Sequence, residues 1–385
     1  LRRLSHDDLG LLSHEIRNFI VETVQENGGH LGSNLGVVEL TIALHRVFDS
    51  PRDIMLWDTG HQAYVHKMLT GRLENFKSLR KAGGLSGYPS RAESEHDWIE
   101  NSHASTALSY AFGIATAQAS DEGEGRRVLA VIGDGALTGG MAFEGLNNLG
   151  HAGSNAIIIL NDNGRSYAPT VSLLSDSLKK LRNNPKYLEQ QEKLENKVKS
   201  LLPSKEVMGL SVERAIDAAK AAVREIWDPT SFFEDLGLRY NGPFDGHNIE
   251  ALEKAFRNAA GFEGPTVIHV LTEKGRGYGP AENDPIKRLH DIGKPKPESY
   301  TAAFTEILIK EAENRSDLVA ITAAMPDSTG LLPFSERFPE RFFDVGIAEQ
   351  HATTAAAGMA MGGLRPVIAV YATFLNRAFD QINFD

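Results

Sequence analysis

The sequence predicts an α/β fold with two parallel-sheet domains, each carrying helices on both faces of its sheet. Short apolar runs rich in β-branched residues alternate with helical patterns through the first 170 residues, and this alternation returns after residue 300. A stretch rich in Pro and Lys, 290–297, separates the two regions. We therefore expect residues 1–298 to form an N-terminal domain and residues 299–385 to form the start of a second, incomplete domain.

Each predicted element of the first domain follows from its own residue pattern. Apolar residues at helical spacing predict helices at 9–25 and 37–48, and an Ala-rich pattern predicts a helix that ends near residue 119. A further helix is predicted at 138–149, with Thr138 as its N-cap. Strands are predicted where apolar residues run together, at 54–57, 128–132, 155–160 and 266–271.

The rest of the chain divides into an insertion and the second domain. Residues 172–230 are rich in Lys, Glu, Asn and Gln at helical spacing, which indicates a helical insertion at the surface. A solvated pair of helices and a mobile lid both agree with that pattern, and we favour the pair. In the second domain, strands are predicted at 318–322, 342–345 and 367–371, and a helix at 348–361.

The composition excludes several classes of function. The formal net charge is −11, which disfavours a general nucleic-acid or acidic-membrane surface. The chain has no cysteine, so it has no disulfide, thiolate metal site or cysteine nucleophile, as is common in a reducing cytosol. No segment has the pattern of a transmembrane helix. We expect a cytoplasmic protein, and a plastid-targeted precursor stays open because the chain begins at Leu1.

Two neighbouring strand ends carry the strongest candidate ligand-binding motif. Gly-Asp-Gly at 133–135 follows one predicted strand, and Asn-Asp-Asn at 161–163 ends the next. A single helix lies between them, so the two strands should be parallel with their carboxyl ends side by side. Asp134 and Asn163 then offer the hard oxygen ligands that Mg²⁺ prefers. The glycines allow a diphosphate to approach the backbone at the start of the helix.

A polar Glu-Gln-His run opens an Ala-rich helix in the second domain. Glu349 follows the predicted strand 342–345, so it is expected at the carboxyl end of that strand. The helix dipole would favour any carboxylate there, but it does not explain the whole polar run. A buried glutamate with a raised pKa can share a proton with a bound ligand.

Further motifs identify a family. They are Gly-Gly-His-Leu-Gly-Ser at 28–33, Thr-Gly-His-Gln-Ala-Tyr-Val-His-Lys at 59–67, Lys-Gly-Arg-Gly-Tyr at 274–278 and Tyr-Ala-Thr-Phe-Leu-Asn-Arg at 371–377. With the three motifs above, they resemble the 1-deoxy-D-xylulose-5-phosphate synthase family of transketolase-like thiamine-diphosphate enzymes. The resemblance runs from about residue 10 to the last residue. It implies the thiamine-diphosphate-binding fold, with a first domain that binds diphosphate and Mg²⁺ and a second, truncated domain that binds the pyrimidine.

The resemblance also implies a role for each matching residue. Asp134, Asn163 and the main-chain carbonyl of Arg165 would hold Mg²⁺. Glu349, His30 and His61 would be catalytic, and His30, Tyr371 and Arg377 would face the substrates. The residues that contact the cofactor would be His61, Ser102, His103, Ala104, Gly135, Ala136, Asn163, Tyr278, Glu349 and Phe374.

The implied activity is a decarboxylative condensation of pyruvate with glyceraldehyde 3-phosphate to 1-deoxy-D-xylulose 5-phosphate and CO₂. In the family this is the first step of non-mevalonate isoprenoid synthesis, and we expect a homodimer with no nucleic-acid or membrane partner. A transketolase, a pyruvate dehydrogenase-type decarboxylase and a catalytically inactive fragment stay open as alternatives. A transketolase uses a sugar phosphate as its donor and the other enzymes use a keto acid, so the donor that the complete protein consumes distinguishes a transketolase from them.

Overall fold

The structure is a computed structural model that describes residues 1–119, 125–166, 170, 206–207, 210–211, 231–290 and 298–384. Eight of the strands it describes belong to two larger sheets, and residues 206–207 and 210–211 form a separate antiparallel pair. The eight strands are β1 (Ile54–Asp58), β2 (Val128–Gly133), β3 (Ala156–Asp162), β4 (Arg239–Asp245), β5 (Thr266–Leu271), β6 (Leu318–Thr322), β7 (Phe342–Asp344) and β8 (Arg365–Ile368).

Both larger sheets are parallel throughout. The first has the strand order β1-β2-β3-β5-β4, and the second has the order β8-β6-β7. The strands β2 and β3 are direct neighbours, with Gly133 paired to Asn161 at their carboxyl ends. The predicted α/β fold with two parallel-sheet domains is therefore confirmed.

Helices lie between most of the strands. They are α1 (His6–Asn27), α2 (Gly32–Gly36), α3 (Val38–Val47), α4 (Tyr64–Lys67), α5 (Ala107–Ala119), α6 (Gly140–His151), α7 (Ser231–Asp235), α8 (Ile249–Ala260), α9 (Gly279–Glu282), α10 (Tyr300–Asn314), α11 (Leu332–Arg337), α12 (Glu349–Met361), α13 (Ala372–Leu375) and α14 (Phe379–Phe384). None of the helices among the described residues combines the length and apolarity needed to cross a bilayer.

The core of the first domain lies on both faces of its sheet. In β2, Leu129 and Val131 pack with α1, α3 and α8 on one face, whereas Ala130 and Ile132 pack with α5 and α6 on the other. Successive side chains of a strand point to opposite faces, so a strand buried on both faces must be apolar at every position. This explains the uninterrupted apolar runs from which these strands were predicted.

Local details correct several predicted boundaries. The N-cap of α6 is Gly139, not Thr138, because residues 136–138 form a separate 3₁₀ turn. The strand β8 occupies 365–368 and not 367–371. The strand β4 was not predicted, since Gly242 and Pro243 interrupt its pattern at a register shift. Apart from 206–207 and 210–211, the predicted insertion at 172–230 lies outside the described residues, as does 291–297 of the predicted linker.

Candidate active site

One cavity lies between the carboxyl ends of the two parallel sheets. The empty space in and in front of it amounts to about 880 Å³, part of which is open solvent. The loops after β1, β2, β3 and β5 supply one wall, and the loops after β6, β7 and β8 supply the other. The predicted site residues that line it are His30, His61, Ser102, His103, Ala104, Asp134, Gly135, Ala136, Asn163, Arg165, Glu349, Phe374 and Arg377.

The predicted metal ligands meet at one corner of this cavity. The backbone N–H of Asn163 donates to Asp134 Oδ1 at 3.4 Å, and the hydroxyl of Thr170 donates to Asp134 Oδ2 at 2.5 Å. The side-chain oxygen of Asn163 accepts from the N–H of Arg165 at 3.1 Å. The Arg165 guanidinium instead donates to the carbonyls of Pro285 and Ile286, so only its main-chain carbonyl is a candidate ligand.

Gly135 and Ala136 line the cavity next to the predicted metal ligands. A Cβ at position 135 would approach Ser166 Cβ to 2.9 Å, so the close packing favours glycine there. The backbone at 135–138 turns into α6 through a 3₁₀ turn, and both residues line the cavity just before this helix begins. A diphosphate fits such a surface because peptide N–H groups stabilise an anion without a side chain.

The buried carboxylate of Asp58 positions the segment that carries Ser102, His103 and Ala104. Its two oxygens accept the N–H groups of Ser105 and Ala107, each at 2.9 Å, at the start of α5. Burial raises the pKa of Asp58 to about 6, although these N–H groups act in the opposite direction. Asp58 thereby holds the 102–107 turn against the end of β1.

Three imidazole rings from the first domain cluster in the same cavity. The ring centroids of His30 and His61 are 4.6 Å apart, and those of His61 and His290 are 4.9 Å apart. Burial holds the pKa of His61 and of His290 well below the usual value for imidazole. The ammonium group of Lys274, 2.7 Å from His290 Nδ1, acts in the same direction. The pKa shifts therefore favour neutral rings at His61 and His290, which can accept hydrogen bonds from a bound ligand.

Glu349 enters the cavity from the second domain, at the first residue of α12. Its side chain is 2% exposed, and burial raises its pKa. Among the described residues, Glu349 Oε2 has no hydrogen-bond partner, and the nearest cation is Arg377 with Nη1 at 3.7 Å. A buried carboxyl oxygen without a partner costs free energy unless a ligand supplies the partner.

Direct contacts join the two walls within this one chain. The N–H of Ile347 donates to Thr138 Oγ1 at 2.9 Å, and Arg377 Nη2 donates to the carbonyl of Ala104. The rings of His103 and Phe374 meet edge to face with centroids 5.0 Å apart. The first domain and the second domain therefore both supply residues to the same cavity.

Two predicted site residues are not brought to the cavity wall. Tyr278 was expected to close over the cofactor, but its ring packs against the core of the first domain and its hydroxyl accepts from Gln25 at 2.6 Å. Tyr371 does not line the cavity but stacks on Phe374, which does, with ring centroids 5.8 Å apart. The sequence correctly placed both tyrosines at or after the carboxyl end of a strand, but it did not predict the direction in which their side chains point.

Sequence reasoning gave no role to several residues of the site, and four of them have clear contacts there. His290 was assigned to the interdomain linker, and Lys274 was part of a quoted motif without a role. Thr170 and Asp58 hold residues that line the cavity, as described above. Only Asp58 could have been found from the sequence. It is the last residue of the buried strand β1, and Asp134 directly follows β2 in the same way.

Comparison with known proteins defines the family of this chain. A family model described as 1-deoxy-D-xylulose-5-phosphate synthase matches residues 1–272, and one described as the transketolase pyrimidine binding domain matches residues 296–385. The chain belongs to the 1-deoxy-D-xylulose-5-phosphate synthase family. The resemblance inferred from the motifs is thus confirmed.

Curated relatives in this family are closely similar over the whole chain. It is 54% identical over 395 residues to a 1-deoxy-D-xylulose-5-phosphate synthase of Mycobacterium avium (strain 104), and 56% identical over 397 residues to one of Nocardia farcinica. These alignments cover 100% of this chain but 61% and 62% of the two relatives. The chain therefore spans less than two thirds of the length of these relatives.

Solved structures confirm the fold. Transketolase from Leishmania mexicana aligns with a TM-score of 0.51 at 16% identity, covering 97% of this chain and 66% of that chain. Transketolase from Campylobacter jejuni gives the same TM-score at 18% identity and covers 67% of that chain. At this level of identity the likeness shows a transketolase-like α/β fold.

Proposed function

We propose that this chain forms the cofactor-binding part of a thiamine-diphosphate- and Mg²⁺-dependent enzyme that condenses pyruvate with glyceraldehyde 3-phosphate. The products would be 1-deoxy-D-xylulose 5-phosphate and CO₂. One observation carries the proposal: the Asp134–Asn163 oxygen pair and the buried carboxyl of Glu349 line the same cavity from opposite sheets. Family membership supports the choice of reaction. The activity is proposed for the complete gene product.

The residues present fit both halves of the cofactor. At the metal corner, one carboxylate, one amide oxygen and one main-chain carbonyl match the oxygen ligands of Mg²⁺, which usually completes its shell with phosphate and water. At the other end, the partnerless Oε2 of Glu349 matches a ligand with a protonated ring nitrogen. The Phe374 ring beside it offers an apolar face for stacking.

The chemistry divides between the cofactor and the protein. Thiamine diphosphate, when bound, supplies the electron sink for the loss of CO₂ from pyruvate. Asp134, Asn163 and the carbonyl of Arg165 would hold the metal, and the backbone at Gly135 and Ala136 would face the diphosphate. His61, Ser102, His103 and Ala104 line the same cavity and would complete the contacts to the cofactor.

Four side chains would act nearer the reacting atoms. Glu349 would share a proton with the pyrimidine ring, which its raised pKa favours. His30 and His61 would take part in proton transfers, since both line the cavity and their ring centroids are 4.6 Å apart. Arg377 would bind a carboxylate or phosphate of the substrates, because its guanidinium lies beside Glu349 and Ala104. Tyr371 would support this end through its stacking on Phe374.

A donor assay on the complete gene product tests the proposed reaction. With Mg²⁺ and thiamine diphosphate, pyruvate and glyceraldehyde 3-phosphate should yield CO₂ and 1-deoxy-D-xylulose 5-phosphate in equal amounts. A ketose phosphate offered instead of pyruvate should give no product. Turnover of the ketose phosphate donor without CO₂ release would contradict the proposal and favour a transketolase.

Binding by the 385 residues alone is a separate question. Calorimetry of this chain with thiamine diphosphate should show binding that depends on Mg²⁺, whether or not these residues catalyse turnover alone. Asp134→Ala should abolish the Mg²⁺-dependent part, and the exposed Asp235→Ala is the matched control. A homodimer and a cytoplasmic location stay predictions that rest on the family resemblance.

A further inference from the structure

The three imidazole rings of the cavity form a cluster whose donor set differs from that of the metal corner. One ring nitrogen from each of His30, His61 and His290 lies within 4.8 Å of the other two. Such a set of three nitrogens suits a borderline-soft divalent cation, whereas Mg²⁺ selects oxygen ligands. We propose that the three histidines bind one transition-metal cation of the Zn²⁺ class, and that this cation blocks the cavity reversibly.

The distances allow such a centre with small side-chain movements. Nitrogen ligands lie about 2.0–2.1 Å from Zn²⁺, so neighbouring ligand atoms in a tetrahedral site are about 3.4 Å apart. From separations of at most 4.8 Å, each nitrogen needs to move toward a common centre by no more than about 1 Å. Rotation about χ1 and χ2 of histidine covers that distance. Water would take the fourth position of a tetrahedral site.

The backbone already holds the three histidines together. The side-chain amide of Asn34 donates to the carbonyls of His30 and His61, at 2.9 and 2.8 Å. The N–H of Leu31 donates to the carbonyl of His290 at 3.1 Å. These contacts fix the backbone positions from which the three side chains extend. The cluster is therefore a built site and not a chance approach of surface side chains.

Lys274 sets the strength of the site. Its Nζ lies 2.7 Å from His290 Nδ1, and it also donates to the carbonyl of Ser166. A fixed ammonium group repels a divalent cation and competes for the same imidazole. The cation must displace this contact, so the native site should bind Zn²⁺ more weakly than the same three histidines without Lys274.

A cation bound to the three histidines would inhibit the proposed reaction, but the cation would not need that reaction in order to bind. His30 and His61 would be withdrawn from proton transfer, and the cation would stand where the substrates have to bind. Inhibition by Zn²⁺ should therefore be reversed by a chelator and should not be relieved by excess Mg²⁺, because Mg²⁺ binds imidazole poorly. The binding itself requires neither cofactor nor turnover.

Titration of the tag-free, cofactor-free chain with Zn²⁺, and with Co²⁺ as a spectroscopic probe, tests the proposal. We expect one cation per chain and visible absorption bands of tetrahedral Co²⁺. His30→Gln, His61→Gln and His290→Gln should each weaken binding by at least about tenfold. The exposed His14→Gln is the matched control and should bind as the native chain does.

Two further variants keep the test decisive if a histidine variant misfolds. Lys274→Met should tighten Zn²⁺ binding by about tenfold, and a folding defect would not produce a gain. Asp134→Ala should leave Zn²⁺ binding unchanged, which separates this site from the Mg²⁺ corner. Binding that survives in all three histidine variants, or that is lost in Asp134→Ala, would overturn the proposal. Neither result would bear on the proposed carboligation, which the donor assay tests.

Discussion

Glu349 and Asp134 both carry buried carboxyl groups, but the hydrogen-bond donors around the two groups differ. Both side chains are less than 5% exposed. Asp134 is surrounded by donors, since the hydroxyl of Thr170 and the N–H of Asn163 both donate to it, and it is ready to act as an anion. Glu349 lacks such donors at Oε2, and its raised pKa favours the protonated form. These two environments suit a metal ligand and a proton-sharing group respectively.

The proton-sharing role of Glu349 predicts the effect of a conservative change. Glu349→Gln keeps the volume but removes the acidic proton, so turnover of the complete gene product should fall by about 100-fold or more. The dissociation constant for Mg²⁺–thiamine diphosphate should change much less, because the metal corner is untouched. Steady-state kinetics and calorimetry measure the two quantities. The exposed Glu340→Gln is the control, and near-native turnover of Glu349→Gln would remove this residue from the mechanism.

The hydroxyl of Thr170 predicts a positioning effect on the metal corner. Thr170→Val removes the donor to Asp134 Oδ2, so the carboxylate loses a fixed orientation and Mg²⁺-dependent cofactor binding should weaken by about tenfold. Thr170→Ser keeps the hydroxyl and should restore most of the affinity. A valine variant that binds Mg²⁺ and cofactor as tightly as the native chain, measured by calorimetry, would show that the hydroxyl does not position Asp134.

At the scale of elements, a buried ion-pair network joins α1, α3 and the turn before α8. The guanidinium of Arg17 on α1 donates to both oxygens of Glu39 on α3, and His247 Nδ1 lies 3.0 Å from Glu39 Oε2. Burial by itself would raise the pKa of Glu39, but the hydrogen bonds from His247 and Arg17 outweigh it and lower the pKa to about 2. The network holds the helices that support His30 and α2.

This depressed pKa predicts a pH-dependent contribution to stability. The folded pKa lies below the unfolded value of about 4.3, so the stabilisation is complete above that pH and is lost as the pH falls through about 2. Glu39→Gln should therefore lower the free energy of unfolding by about 3 kcal/mol at pH 7 and by roughly half as much at pH 3.

Urea unfolding at the two pH values measures the difference. Glu313→Gln is the control, because its ion pair with Arg337 is exposed and should contribute only about 0.5 kcal/mol. A penalty for Glu39→Gln that is the same at pH 7 and pH 3 would mean that the charge of Glu39 is not what stabilises these helices.

At the scale of the molecule, the site is formed by residues from both parallel sheets, whose carboxyl ends face each other. Thr138 and Ile347, His103 and Phe374, and Arg377 and Ala104 connect the walls across more than 200 residues of sequence. A ligand with one end at Asp134 and the other at Glu349 would add a further connection between the sheets. Binding should therefore stabilise both domains and not only the one that holds the metal.

Hydrogen exchange tests this expectation for the whole molecule. With Mg²⁺ and thiamine diphosphate at about 100 times the dissociation constant, the gain in unfolding free energy should be about 2.7 kcal/mol. Amides of 133–139 and of 347–353 should both become protected. Asp134→Ala should lose both effects, and protection confined to 133–139 would contradict a ligand that spans the two sheets.

The sequence alone determined the parallel sheets, the proximity of Asp134 and Asn163 and the place of Glu349. Apolar runs buried on both faces and polar residues at strand ends are local signals, and parallel topology converts them into proximity. The direction of Tyr278, the entry of His290 into the site and the support from Thr170 were decided only by the tertiary structure. Each depends on how separate segments pack against one another, and no periodicity along the chain encodes such a long-range contact.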